Sequence, residues 1–318
     1  MKPSNIGGQA VMEGIMMRHK DKYAVAVRRP DKEIEIKVED YKCTFGKAGF
    51  LKWPIIRGVV SFVDGLVVGT KCLMYSAEIA GDEEDEKEAA KNAALSEEEL
   101  SAKKAKEAKQ FQWLLYITVA ISIIFSVAAF MLLPYALASL LRKVGVSEFG
   151  VTVAEAFVKL ALFLGYMFLI SRMKDIQRTF MYHGAEHKCI NCIEHGLPLT
   201  VENVRKSSRQ HKRCGTSFLF FVLAISIILL LLIRVESPLM RVVVRIALLP
   251  VIAGISYEVL KLAGNSENAL VNLLSKPGMA IQMMTTSEPD DDMIEVAIQA
   301  VEAVFDWRAY ERENFHTS

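Results

Sequence analysis

Hydrophobic and polar positions fall in blocks along this chain rather than in a fine mosaic. Four blocks stay apolar for about the 20 residues a helix needs to cross a bilayer: 111–141, 151–170, 217–233 and 242–262. Trp113 and Tyr116 open the first as interfacial aromatics do. Short connections at 142–150 and 234–241 pair the blocks into two hairpins, and a longer polar connector, 171–216, joins the pairs. The third block, SFLFFVLAISIILLLLI, is too uniformly oily for one face of a soluble helix. The pattern predicts a mainly α, polytopic membrane protein with four transmembrane helices arranged as two hairpins.

Residues 53–80 follow a different rule. Their polar positions (57, 61, 64, 71, 75 and 78) make one helical stripe with a gap at Val68. This predicts an amphipathic or re-entrant helix at the interface or against the bundle. A fifth span, with Arg57 and Asp64 facing the bundle interior, is the alternative. Residues 23–39 alternate in two runs around Pro30-Asp31-Lys32, which predicts a small N-terminal β-hairpin. The stretch before it, NIGGQAVMEGIMMR, carries too many large apolar residues for a free leader.

Residues 81–110 are rich in Ala, Glu and Lys and read as a charged linker or solvated helix. After the fourth span, SENALVNLL predicts a helix stopped at Lys276-Pro277-Gly278. A second helix follows, started by Ser287 and Pro289. Its apolar face of Ile294, Ala297, Ile298, Val301, Val304 and Phe305 would pack on the domain or on a partner. The organisation is therefore 1–52, a Gly-rich segment with the hairpin; 53–80; 81–110; 111–262, the membrane region with its connector; and 263–318, C-terminal helices.

Charge adds orientation. The 38 basic and 37 acidic residues nearly cancel, which excludes a nucleic-acid binder. The connector, however, concentrates Arg172, Lys174, Arg178, Lys188, Arg205, Lys206, Arg209, Lys212 and Arg213. By the positive-inside rule it is cytoplasmic, and with four spans both termini are too. Five scattered cysteines do not make a secreted disulfide framework, and the N-terminus lacks the pattern of a signal peptide.

Candidate chemistry concentrates in the same connector. His183-Gly184-Ala185-Glu186-His187 matches H-x-x-E-H, whose histidines lie one helical turn apart and can share a metal ion. Glu186 would be the general base towards a water acidified by the ion. Glu258, an ionisable group within the fourth span, and His211, just before the third, are candidates for the remaining ligand. Two other readings stay open. Cys189-x-x-Cys192 with His211-x-x-Cys214 has the spacing of a structural zinc site, and interfacial histidines can simply be hydrogen-bonded.

The stretches GGQAVMEGIMMR, YHGAEHK, RCGTSF, SYEVLKLAG and TTSEPDDDMIEVAI resemble the bacterial YqhQ-like membrane proteins over nearly the whole chain. That family, of unknown function, is sometimes labelled a predicted metal-dependent enzyme. The resemblance implies a multi-pass protein of the cytoplasmic membrane. It directs attention to Gln9, Glu13, Arg18, His183, Glu186, His187, Arg213, Cys214 and Glu258; Cys189 falls outside the matching stretch. Glu13 and Arg18 are expected to fold over the cytoplasmic mouth and join Glu186 as catalytic groups.

Together these readings predict a hydrolase with a divalent metal, zinc being favoured, held by His183, His187 and Glu258 or His211. Its substrate would be a peptide or a lipid-linked molecule. A non-catalytic membrane scaffold or assembly factor binding protein partners is the alternative. A transporter using Glu155, Lys159 and Glu258 is less favoured because no internal repeat is visible.

Overall fold

The computed structural model describes residues 2–46, 48–81, 113–114, 117–233, 235, 237–266 and 268–315. The charged linker read at 81–110 and the interfacial Tyr116 lie outside the described residues, Gly81 excepted. The chain forms two compact units, one of residues 1–80 with 167–318 and one of residues 81–166. In the second, α2 (Ile117–Val144) and most of α3 (Glu148–Ile170) are long apolar helices.

The first unit begins with four antiparallel strands in sequential order: β1 (Gly7–Val11), β2 (Gly14–His19), β3 (Lys22–Arg28) and β4 (Ile34–Asp40). The predicted hairpin is β3–β4. The Gly-rich stretch before it forms a second hairpin, β1–β2, with Val11 paired to Gly14 across a two-residue turn. Glu13 takes φ +48° in that turn, a conformation that local sequence pattern does not announce for a glutamate.

Because side chains alternate across a strand, the sheet buries both faces. Val11, Met16, Tyr23, Val25 and Val27 pack on Val68, Cys72 and Tyr75 of α1 (Ile56–Ala80). Ile15, Met17 and Ala26 pack on the opposite side. There they meet Tyr182, Ala185, Cys189 and Ile190 of α4 (Lys174–Glu194), with Ile294, Ala297 and Val301 of α9 (Asp291–Glu302). The C-terminal apolar face thus covers the chain's own sheet and α4. Asp290, whose side chain accepts from the Met293 N–H, caps α9.

Around this core lie α5 (Val201–Lys206), α6 (Gly215–Leu232), α7 (Pro238–Asn265), α8 (Ala269–Thr285) and α10 (Trp307–Asn314). Helix α8 runs through Pro277, where the sequence predicts a stop. Tertiary contacts outweigh the proline: Gly278 lies against Ser217, and the buried Gln282 beyond it bonds to His211 and Ser217.

Among the described residues five helices, α1, α2, α3, α6 and α7, are long and apolar enough to cross a membrane. The four predicted blocks are among them, and α1 is the addition. These helices mark a multi-pass membrane protein that is mainly α with a small antiparallel sheet. The first turns of α1 rest on α7, with Gly58 against Gly254, while its later turns run beneath the sheet.

Candidate metal centre

Helix α4 is not hydrophobic, yet residues 184–194 are all buried. Buried polar groups need partners, and α4 finds them in the backbone that leads into α6. His187 Nδ1 donates to the Arg209 carbonyl (2.6 Å), and Lys188 Nζ donates to the carbonyls of Arg205 and Ser207 (2.9 and 3.0 Å). Asn191 Nδ2 donates to those of Ser208 and Gln210 (2.6 and 2.9 Å). One face of α4 therefore fixes the path of residues 205–210. Gln282 continues the work from α8, holding both the N–H and the carbonyl of His211.

That path delivers Cys214 to the N-cap of α6, where its sulfur accepts from the Thr216 N–H (3.4 Å). There it faces the histidines. His183 Nδ1 donates to the Thr285 carbonyl (2.9 Å), and His183 Nε2 lies 3.2 Å from Cys214 Sγ. The His183 and His187 rings stand edge to face with centroids 4.4 Å apart. One donor atom from each of His183, His187 and Cys214 falls within 4.8 Å of the others.

The hydrogen bonds decide what these donors offer. A carbonyl only accepts, so each Nδ1 carries the hydrogen and each Nε2 presents a lone pair. Fixing the tautomer through the far nitrogen is how metal-binding histidines are commonly oriented. A tetrahedral zinc ion with Zn–N near 2.0–2.1 Å and Zn–S near 2.3 Å holds its donors about 3.3–3.6 Å apart. The three donors fit that spacing with small side-chain movements, and His183 is the one partly open to solvent.

Glu186 follows His183 by three residues, so it neighbours His183 on the helix surface. It is buried against β1, where the Gly8 N–H hydrogen-bonds its carboxyl and one oxygen, Oε2, has no partner. Burial raises its pKa above the ordinary carboxylate value, against the opposing effects of His183 and the Gly8 hydrogen bond. Gly184, which weakens the helix in isolation, is required by packing: a Cβ there would stand 2.0 Å from the Ser287 carbonyl oxygen.

The other predicted site residues lie elsewhere. Glu258 forms a bidentate ion pair with Arg57, its Oε1 2.6 Å from Arg57 Nε, and takes no part in the donor group. His211 turns towards Glu194, with Nε2 3.5 Å from Oε2, and its ring centroid is 5.8 Å from that of His187. Glu13 pairs with Arg178 and reaches Tyr182. Arg18 lies over the Tyr41 ring at 3.2 Å. It shares the α1 side of the sheet with Met16, so the sheet separates it from α4. Cys192 Sγ faces the carbonyls of Leu197 and Pro198, and Cys189 is fully buried in the core, so the paired-cysteine site does not assemble. The donor that sequence reasoning did not assign to the histidine pair is Cys214. Its signal was its place, directly before an apolar span and three residues after His211.

A family model described as "Protein of unknown function (DUF1385)" matches residues 53–307, which hold all three donors, Glu186 and Glu258. The chain belongs to this family. It is 38% identical over 317 residues to the "Uncharacterized protein YqhQ" of Bacillus subtilis (strain 168), a match covering 98% of this chain and 96% of that protein. The DUF1385 match starts after the sheet, whereas the similarity to YqhQ takes in β1–β4 as well. No solved structure matches.

Proposed function

We propose that the chain is a metal-dependent hydrolase of the cytoplasmic membrane, with His183, His187 and Cys214 as zinc ligands. The observation that carries this is the pair of histidines whose Nδ1 atoms are held by backbone carbonyls while one ring nitrogen of each lies within 4.8 Å of the Cys214 sulfur. Three protein ligands leave a coordination position open, as catalytic zinc sites do, whereas a structural site closes with four. A zinc ion held there would supply Lewis acidity. His183 and His187 orient, held by the Thr285 and Arg209 carbonyls. The free Oε2 of Glu186, one residue before His187, would take a proton from an attacking water. Glu13 acts at one remove in this reading, holding α4 through Arg178. Arg18 and Glu258 are structural, and His211 belongs to the Glu194 cluster.

Elemental analysis of the purified full-length protein tests this. About one zinc per chain is expected, lost in His183→Ala, His187→Ala and Cys214→Ser. Glu186→Gln should retain it and lose turnover. A wild-type protein that takes up no metal would overturn the reading.

The same reading needs the site, the sheet and both termini on one side of the membrane, and a parity argument supports this. The sheet and α4 share one core, so the chain crosses the bilayer an even number of times between residues 40 and 174. Three apolar helices intervene, α1, α2 and α3. Helix α1 is the least apolar and the most buried, and its later turns lie beneath a sheet whose fourth strand carries Glu35, Lys37 and Glu39. In this reading α1 lies along the interface beneath the sheet rather than crossing, which gives four spans. Its first turn is tied down by Arg57 to Glu258. The basic connector supports a cytoplasmic location for the common side. In intact cells, a membrane-impermeant maleimide should label Ser147→Cys, between α2 and α3, and spare Ala90→Cys. The reverse pattern contradicts the arrangement.

A further inference from the structure

A cleft of about 460 Å³ opens on the flank of the metal centre, and nothing in the hydrolase reading uses it. Its outer lip is Phe168, in the last turn of the apolar helix α3, with Arg172 just beyond. Its inner wall is Phe180 and Met181 of α4 against Met284 and Ser287. That wall is the outside of the junction that holds His183. The Ser287 N–H donates to the Phe180 carbonyl (2.8 Å), its own carbonyl abuts Gly184, and the Thr285 carbonyl holds His183 Nδ1. The cleft thus joins the end of a membrane-spanning segment to the partly open ligand.

Its charges are unequally committed. Glu288 is engaged by Lys188 at 2.8 Å and faces Arg209 at 3.6 Å. Arg172 lies over the Phe168 ring at 4.6 Å and has no carboxylate partner among the described residues. Among the described residues the cleft therefore offers one cation without a carboxylate partner, above an apolar lip where Phe168 is 50% and Met283 45% exposed. A soluble anion has no use for that lip, and an uncharged lipid has none for Arg172. Arginines at this level meet the anionic headgroups of the cytoplasmic leaflet.

We propose that this cleft binds an anionic phospholipid, with its phosphate on Arg172 and its chains along Phe168 and Met283, and that an amphiphile of this class is the substrate brought to His183. The second clause rests on the hydrolase reading; the first does not, and the test separates them. The full-length protein in neutral detergent would be titrated with a fluorescent short-chain phosphatidylglycerol. Competition by the phosphatidylcholine analogue and by inorganic phosphate would be measured, and zinc content recorded for every sample. Binding at least ten-fold weaker in Arg172→Gln and restored in Arg172→Lys supports the cleft, with neither competitor effective at equal concentration. Equal binding by Arg172→Gln, or equal displacement by phosphatidylcholine, overturns it. Displacement by inorganic phosphate makes it a phosphate site and overturns the lipid assignment. His183→Ala should lose zinc yet still bind the lipid. If the wild type binds lipid through Arg172 but holds no zinc, the hydrolase reading fails and the lipid site stands.

Discussion

Helix α4 carries two buried polar clusters about three turns apart, and they resolve their polarity in opposite ways. At its C-terminal end, Glu194 Oε1 accepts from the Ser4 N–H (2.7 Å), the Ser4 hydroxyl (2.8 Å) and the Arg213 guanidinium, with His211 alongside Oε2. Further back, His183 Nε2 lies 3.2 Å from Cys214 Sγ, and a donor atom from each of His183, His187 and Cys214 falls within 4.8 Å of the others. Both clusters draw on the segment between α5 and α6, and both contain histidine. In the Glu194 cluster a buried anion is answered by a cation and by donors, so the cluster fastens the N-terminus to α4. In the donor cluster backbone carbonyls hold the outer nitrogens, and on the inner side the Cys214 thiol donates to His183 Nε2 (3.2 Å). Burial and titratable chemistry are common to both clusters; what differs is that an ion pair closes one, whereas three donor atoms of metal-ligating type converge in the other.

The largest expected effect falls on metal content. Substituting His183, His187 or Cys214 should reduce zinc from about one per chain to near none, while Glu194→Gln should leave it unchanged. If Glu194→Gln strips the metal as thoroughly as His187→Ala, the two clusters are one unit and the comparison fails.

Acid should separate them next. Burial would raise the Glu194 carboxyl, but the His211 ring and the Arg213 charge prevail and hold it down to about 2, from an ordinary 4.5. Its folded value is depressed, so its stabilisation is complete above pH 4.5 and is lost as pH falls towards 2. The shift corresponds to about 3 kcal/mol. His211 adds to the loss. Burial lowers its pKa below 6.5 despite Glu194, so protons taken up by the unfolded chain destabilise the fold as pH drops through that value. Glu186, raised by burial, has the opposite sign and contributes below its folded pKa. Thermal unfolding midpoints of the purified protein should therefore fall from pH 7 towards 4 through His211, and again below pH 4.5 through Glu194. Glu194→Gln should start lower and show a flatter profile below pH 4.5. An unchanged profile in that variant would remove the Glu194 cluster from the acid response.

How much of this could be read beforehand follows from which interactions are local. Apolar blocks declare themselves over twenty residues, so α2, α3, α6 and α7 were legible, and so was the β3–β4 hairpin around Pro30. The β1–β2 hairpin was not, because its turn is Met12-Glu13 rather than a glycine or asparagine pair. Two histidines one turn apart on α4 were legible as a pair. Their third partner depends on where the carbonyls of residues 205–210 place Cys214, a tertiary arrangement without periodicity. Glu258 drew attention by sitting in an apolar helix, a signal that Arg57, some two hundred residues away, accounts for completely.

Gly184→Ala probes the donor cluster through backbone alone. Its Cβ would meet the Ser287 carbonyl at 2.0 Å, and overpacking of this kind costs about 1–3 kcal/mol. Alanine is the better helix former, so an isolated peptide of α4 should gain helicity from the same change that lowers the unfolding midpoint of the protein. Because Ser287 moves with Thr285, whose carbonyl orients His183, zinc affinity should fall with stability rather than independently of it.

Glu258→Gln is expected to do least. The carboxylate lies on α7 facing Arg57, away from the three donors, and both side chains keep partial contact with their surroundings, at 34% and 25% exposure. A glutamine retains an oxygen for the Arg57 guanidinium and removes only the charge, so a small fall in unfolding temperature is the expected outcome, with zinc content equal to wild type. Loss of zinc in Glu258→Gln, with Cys214→Ser retaining it, would return Glu258 to the ligand set and remove Cys214. That single exchange would overturn the distinction between converging donors and ion-paired carboxylates.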